Sequence, residues 1–142
     1  MVKSDLTIYN SVMEDLKEFI ERHRTDPMKR SEFIVYLDVL REKYGFKKDS
    51  DLYNAAGVSR QNYSLIVGGS RPKLRTALRF IFALHANNRE CKYLLKKAGY
   101  TLPSSSTYAL IIRYCLENKI YDLDKVNDYL IANGFTGKEE LF

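Results

Sequence analysis

Residues 51–69 read Asp51-Leu-Tyr-Asn-Ala-Ala-Gly57-Val-Ser-Arg-Gln-Asn-Tyr63-Ser-Leu-Ile-Val-Gly-Gly69. The stretch has the spacing of two short helices joined by a tight turn. The first, from Asp49 to Ala56, presents Leu52 and Ala56 to a core. Gly57 supplies the left-handed residue that such a turn wants, at no steric cost. Val58 plugs the corner. Ser59 is a good N-cap for the second helix, whose Tyr63 and Ile66, three apart, face back to the core. The pair Gly68-Gly69 ends it.

Working outward, apolar residues recur at helical spacing along the whole chain. Leu6, Tyr9, Val12, Met13, Leu16, Phe19 and Ile20 predict a helix from about Ser4 to His23, broken by Thr25, Asp26 and Pro27. Phe33, Ile34, Leu37, Leu40 and Tyr44 mark a second helix ending at Gly45. After the quoted segment, Pro72 is expected to open a helix carrying Leu74, Leu78, Ile81, Phe82 and Leu84. Asn87-Asn88 reads as a turn and Glu90–Ala98 as a helix closed by Gly99. Pro103–Ser106 is the best boundary. Beyond it lie a helix around Tyr108–Leu116 and another over Asp122–Ala132, closed by Asn133-Gly134. No strand-like alternation, internal repeat or low-complexity tract is present.

The order of these elements resembles the Xre or lambda-repressor-like family of helix-turn-helix DNA-binding domains. The run Gly68-Gly-Ser-Arg-Pro-Lys-Leu-Arg-Thr-Ala-Leu-Arg-Phe-Ile-Phe-Ala-Leu84 is similar to that family's Gly-rich loop, basic-Pro element and following helix. The likeness covers about Phe33 to Gly99. It implies an all-α fold with a lambda-repressor-like core at 31–102, an N-terminal helical extension at 1–30 and a C-terminal one at 103–142. It also implies double-stranded DNA as partner. Arg60, Gln61, Asn62 and Ser64 would be the base-reading residues. Arg bonds guanine bidentately, and Gln or Asn bonds adenine. Ser59, Arg71, Lys73 and Arg75 would meet phosphate near helix N-termini.

Charge points the same way. Net charge is +5, and from Ser59 to Lys97 nine basic residues (Arg60, Arg71, Lys73, Arg75, Arg79, Arg89, Lys92, Lys96, Lys97) stand against one acid, Glu90. The rest of the chain is net acidic. Such clustering is expected if one face meets phosphate.

Three features depart from the family pattern. Tyr53 stands where a small residue usually allows the two motif helices to touch. Leu65 and Val67 fall where polar readers are expected. The outer helices lie beyond the common domain, and their apolar faces call for cover from the same chain or a second copy. A second reading therefore stays open: a protein-interaction adaptor or inhibitor, phage- or defence-related, on a helix-turn-helix scaffold that no longer reads DNA. RNA is a weaker option, since no aromatic-basic interleaving appears in the motif.

No enzyme chemistry is expected. His23 and His85 are far apart, Ser104-Ser105-Ser106 lacks a nucleophile elbow, and Gly68-Gly69-Ser70-Arg71 is too short for a nucleotide loop. Cys91 and Cys115 fit no zinc spacing and read as buried reduced thiols, which favours a cytoplasmic location. His85, at a helix end, is expected to suit the last carbonyls. Asp122, Asp124 and Asp128 complement a helix dipole without calcium-loop spacing. No metal or cofactor is expected. No apolar run reaches a membrane span, and the charged N-terminal segment does not read as a signal peptide. A homodimer is expected, formed through helices outside the central motif.

Overall fold

The computed structural model describes residues 2–24 and 31–142, with side chains described for 8–20 and 31–142. It is all-α. Eight helices are present among these residues and no strand: α1 Val2–Arg24, α2 Glu32–Lys43, α3 Asp49–Ala55, α4 Arg60–Val67, α5 Leu74–Leu84, α6 Asn88–Lys97, α7 Thr107–Glu117 and α8 Leu123–Ala132.

α5 is the axis. Thr76, Ala77, Leu78, Phe80, Ile81, Phe82 and Leu84 are all buried, so most of this helix is covered, and Arg75 and Arg79, four apart, lie on the side left partly open. α6 and α3 pack on it. Phe33, Ile34, Leu37 and Leu40 of α2 join the same core, with Leu52, Tyr63, Ile66, Cys91, Leu94 and Leu95. Ile112, Cys115 and Leu116 of α7 and Val126 and Leu130 of α8 continue that cluster without a break. α7 packs on α6 and α8 on α7, so one side of each is covered by the same chain, while Leu110, Tyr114, Tyr129 and Ile131 stay exposed. The final residues fold back: the Phe142 ring lies 5.7 Å from that of Phe82. The Asn127 amide donates to the Phe142 main-chain oxygen and accepts from its N–H, both at 2.8 Å.

Most helix starts follow their caps. Ser31, Ser59, Asn87, Ser106 and Asp122 each accept a backbone N–H of the first turn, filling donors that the helix leaves unpaired. Two starts differ from the sequence expectation. Pro72 does not open α5. The helix begins at Leu74 with Lys73 as its N-cap, while Pro72 is buried and its carbonyl accepts the Tyr100 hydroxyl at 2.9 Å. Asn87-Asn88 is not a free turn either. Asn87 and Glu90 form a reciprocal capping box, so α6 starts at Asn88. His85 does sit at the end of α5, in the left-handed region with φ 59°. Its ring stacks on Tyr121 at 4.0 Å, however, and is not turned onto the helix carbonyls.

One polar cluster is built into this packing. Glu90 is buried, yet its carboxylate accepts from Lys43 Nζ at 2.6 Å, from the Tyr44 hydroxyl and from the Asn87 N–H at 3.0 Å. Burial alone pushes the Glu90 carboxyl up. The bonds from Lys43, Tyr44 and Asn87 outweigh that and leave it below the ordinary range. A depressed carboxyl stabilises the fold above the unfolded pKa of about 4.3, and the gain is lost as pH falls through the folded value. Denaturant titrations at a series of pH values should therefore show stability falling on acidification below about pH 4. Glu90→Gln should lower neutral stability and flatten that slope.

Candidate nucleic-acid interface

The segment from α3 to α4 is a helix, a tight turn and a second helix. Gly57 has φ +69°, a backbone sign that favours glycine, and a Cβ there would lie 2.9 Å from Arg79 Nη1 and displace the tip of that side chain. Val58 is buried beneath the turn. Ser59 Oγ accepts the Asn62 N–H at 3.1 Å. Tyr63 and Ile66 anchor α4 to the core. With those two facing inward, a period of 3.6 residues sets Gln61 on the outermost line of α4, with Ser64 and Leu65 about 50° to either side. Arg60, Asn62 and Val67 lie further round. Arg60, Gln61, Asn62 and Ser64 are all exposed. Leu65 is 61% exposed and Val67 40%, so an apolar side chain stands in the middle of this polar surface.

Tyr53 turns to lie along Tyr63. Its ring lies 5.0 Å from that of Tyr63, tilted by 34°, half-buried at the edge of a shallow groove. Lys48, Asp49, Ser50, Arg60, Tyr63 and Ser64 complete the lining. The positive end of α3 is taken by its own acids. Asp51 accepts the Lys48 N–H at 3.3 Å, and Asp49 pairs with Arg41 at 3.1 Å.

The four candidate phosphate residues are placed differently from one another. Ser59 and Lys73 are exposed at the N-caps of α4 and α5. Arg71 donates from Nε to the Ala98 carbonyl at 2.7 Å and from Nη2 to that of Gly99 at 2.9 Å. Its guanidinium also lies 3.9 Å from the centre of the Tyr100 ring. Arg71 thus closes the C-terminus of α6, where cations suit the helix dipole. Arg75 donates to the Lys138 carbonyl, tying the C-terminal segment to α5. Arg79 reaches toward the Ala56 carbonyl at 3.5 Å, and burial lowers its pKa.

The basic residues of 59–97 are therefore engaged in different ways and do not all stand as free surface cations. Arg60 and Lys73 stand at the N-terminal ends of α4 and α5. Arg71, Arg75 and Arg79 are turned to carbonyls. Arg89, Lys92 and Lys96 line a separate groove of about 620 Å³ with Tyr36, Lys43 and Tyr93. Lys97 pairs with Glu32 at 3.6 Å. The carbonyl-bonding role of the arginines had one sequence cue, the helix-ending Gly99 followed by Tyr100, but its partner is 28 residues away.

The thiols are buried and unpaired with each other. Burial pushes Cys91 up to about 12 and raises Cys115, so neither forms a thiolate at neutral pH. Among the described residues no group of three or more His, Cys, Asp or Glu side chains could hold a metal ion. Nor is any helix long and apolar enough to cross a membrane. The side chain of His23 lies outside the described residues. Comparison with protein-family models, with curated proteins and with solved structures finds no match to this chain.

Arg71→Ala should destabilise the fold by roughly 1–3 kcal/mol, because it unpairs two carbonyls at a helix end. Lys73→Ala, at an exposed position, should fall within about 0.5 kcal/mol of the parent. Chemical denaturation of the two variants checks this contrast.

Proposed function

We propose that the chain is a non-enzymatic, sequence-specific double-stranded DNA-binding protein of the transcription-regulator type, acting in the cytoplasm. In this reading α3 and α4 are a lambda-repressor-like helix-turn-helix and α4 enters the major groove. The observation that carries the reading is the exposed first turn and a half of α4. Arg60, Gln61, Asn62 and Ser64 all stand outward there, on a helix held rigidly by Tyr63, Ile66 and the Ser59 cap. These residue types read base edges. Leu65, beside Gln61 on this surface, would meet a thymine methyl. Backbone positioning falls to Ser59 and Lys73, with Arg71 and Arg75 serving mainly to hold the elements that carry them.

One observation favours a second reading. Leu65 and Val67 are exposed apolar residues on α4, and Arg60 is the only cation within that helix. A surface of this make-up suits a protein partner, as an adaptor or inhibitor would need.

Duplex binding over a salt series separates the two. For DNA, log K should fall linearly with log salt, by about 0.9 per phosphate contacted. Arg60→Ala and Gln61→Ala should each cost roughly 1–3 kcal/mol on the preferred site. Lys73→Ala should weaken all sequences alike and reduce the slope by about one contact. Absence of binding to any duplex at low salt, together with a protein partner released by Leu65→Asp, would transfer the conclusion to the second reading.

A further inference from the structure

α1 is an amphipathic helix, and over its described side chains Tyr9, Met13, Leu16 and Ile20 of the apolar side are exposed. Every described side chain on it, from Ile8 to Ile20, is exposed. Tyr9 is 60% exposed, Met13 45%, Leu16 48% and Ile20 40%. α2 and α5 to α8 each bury an apolar stripe in the common core. An isolated helix gains most of its stability from packing its apolar face, so this one calls for an occupant.

The spacing of the stripe says what kind. Leu6, Tyr9, Met13, Leu16 and Ile20 are separated by three, four, three and four residues. The mean of 3.5 is the repeat of a left-handed coiled coil, and Val12 and Phe19, both exposed, widen the stripe at the g positions. Leu6, Met13 and Ile20 fall at the a positions, and Tyr9 and Leu16 at d. The partner of such a seam is another helix with the same repeat. Among the described residues no other helix is as long as α1, which spans 23 residues or about 34 Å.

The flanking positions fit a second copy in one orientation. The e edge carries Lys3, Asn10, Lys17 and Arg24, and the g edge Asp5, Val12 and Phe19. In a parallel pair each e edge meets the partner's g edge. Val12 then lies beside Lys17 of the second copy, whose aliphatic stem can cover it, and no like charges meet. In an antiparallel pair e meets e, and that edge holds cations with no acid. We propose that α1 pairs with α1 of a second copy in a parallel two-stranded coiled coil. This would be the dimer contact of the protein. It stands on α1 alone and is independent of what α4 binds.

Sedimentation equilibrium of the full chain tests it. A reversible dimer is expected. Leu16→Asp, at a d position, should leave a monomer whose unfolding midpoint is unchanged, since Leu16 is no part of the core of α2–α8. Glu18→Lys, on the outer f position, should leave the dimer intact. Leu6→Cys should give a disulfide-linked dimer on mild oxidation, because parallel pairing sets the two a positions side by side. A strictly monomeric chain, an assembly of any number other than two, or a dimer that survives Leu16→Asp would overturn the proposal. A dimer in which Leu6→Cys fails to cross-link would overturn its parallel arrangement.

Discussion

The fold depends on the burial of α5. Seven of its eleven residues are buried, and the side carrying Arg75, Arg79 and Ala83 is the one left partly open. Each neighbour exists in part to cover it. α3 and α6 lie directly against it, and the Phe142 ring meets Phe82 from the C-terminal segment. Full burial of side chains such as Phe80, Phe82 and Ile81 contributes about 1.5–3 kcal/mol each. That is enough for the loss of any one covering element to be felt throughout. The candidate surface on α4 inherits its rigidity from this arrangement, because Tyr63 packs edge-on to Phe80.

Arginine in this protein is mostly a structural residue. Helix C-termini leave carbonyls unpaired, and a guanidinium offers several donors in a fixed fork. Arg71 uses that fork on two successive carbonyls at the end of α6, and Arg75 does the same work for the C-terminal segment. A cluster of basic residues in a sequence thus measures two things at once, surface potential and internal hydrogen bonding. Here the arginines between α4 and the end of α5 belong largely to the second, while the lysines carry the first.

Much of this was legible beforehand. The all-α class, the glycine at 57, the cap at Ser59 and the inward Tyr63 and Ile66 follow from local rules, because turn sterics and helical period act over a few residues. The starts of α5 and α6 were missed for the same kind of reason: Lys73 caps without a side-chain bond, and the Asn87–Glu90 box resembles an ordinary turn. What could not be read were contacts between distant segments. Nothing local announces that Arg71 reaches Gly99, that Tyr53 lies along Tyr63, or that α7 and α8 complete one core with α5. The outward polar set on α4 is placed where the periodicity put it, and its chemistry remains a matter of what approaches it.

The Arg71 clasp also bears on motion. The loop from Gly68 to Lys73 would ordinarily be among the first parts of such a domain to open, being short of apolar contacts and rich in glycine. Here it is bonded to the last turn of α6 and stacked on Tyr100, whose hydroxyl returns to Pro72 within that same loop. The two segments are thus tied at both ends, and opening the loop beside α4 requires breaking these contacts with the end of α6 as well, which adds to the free energy of local opening.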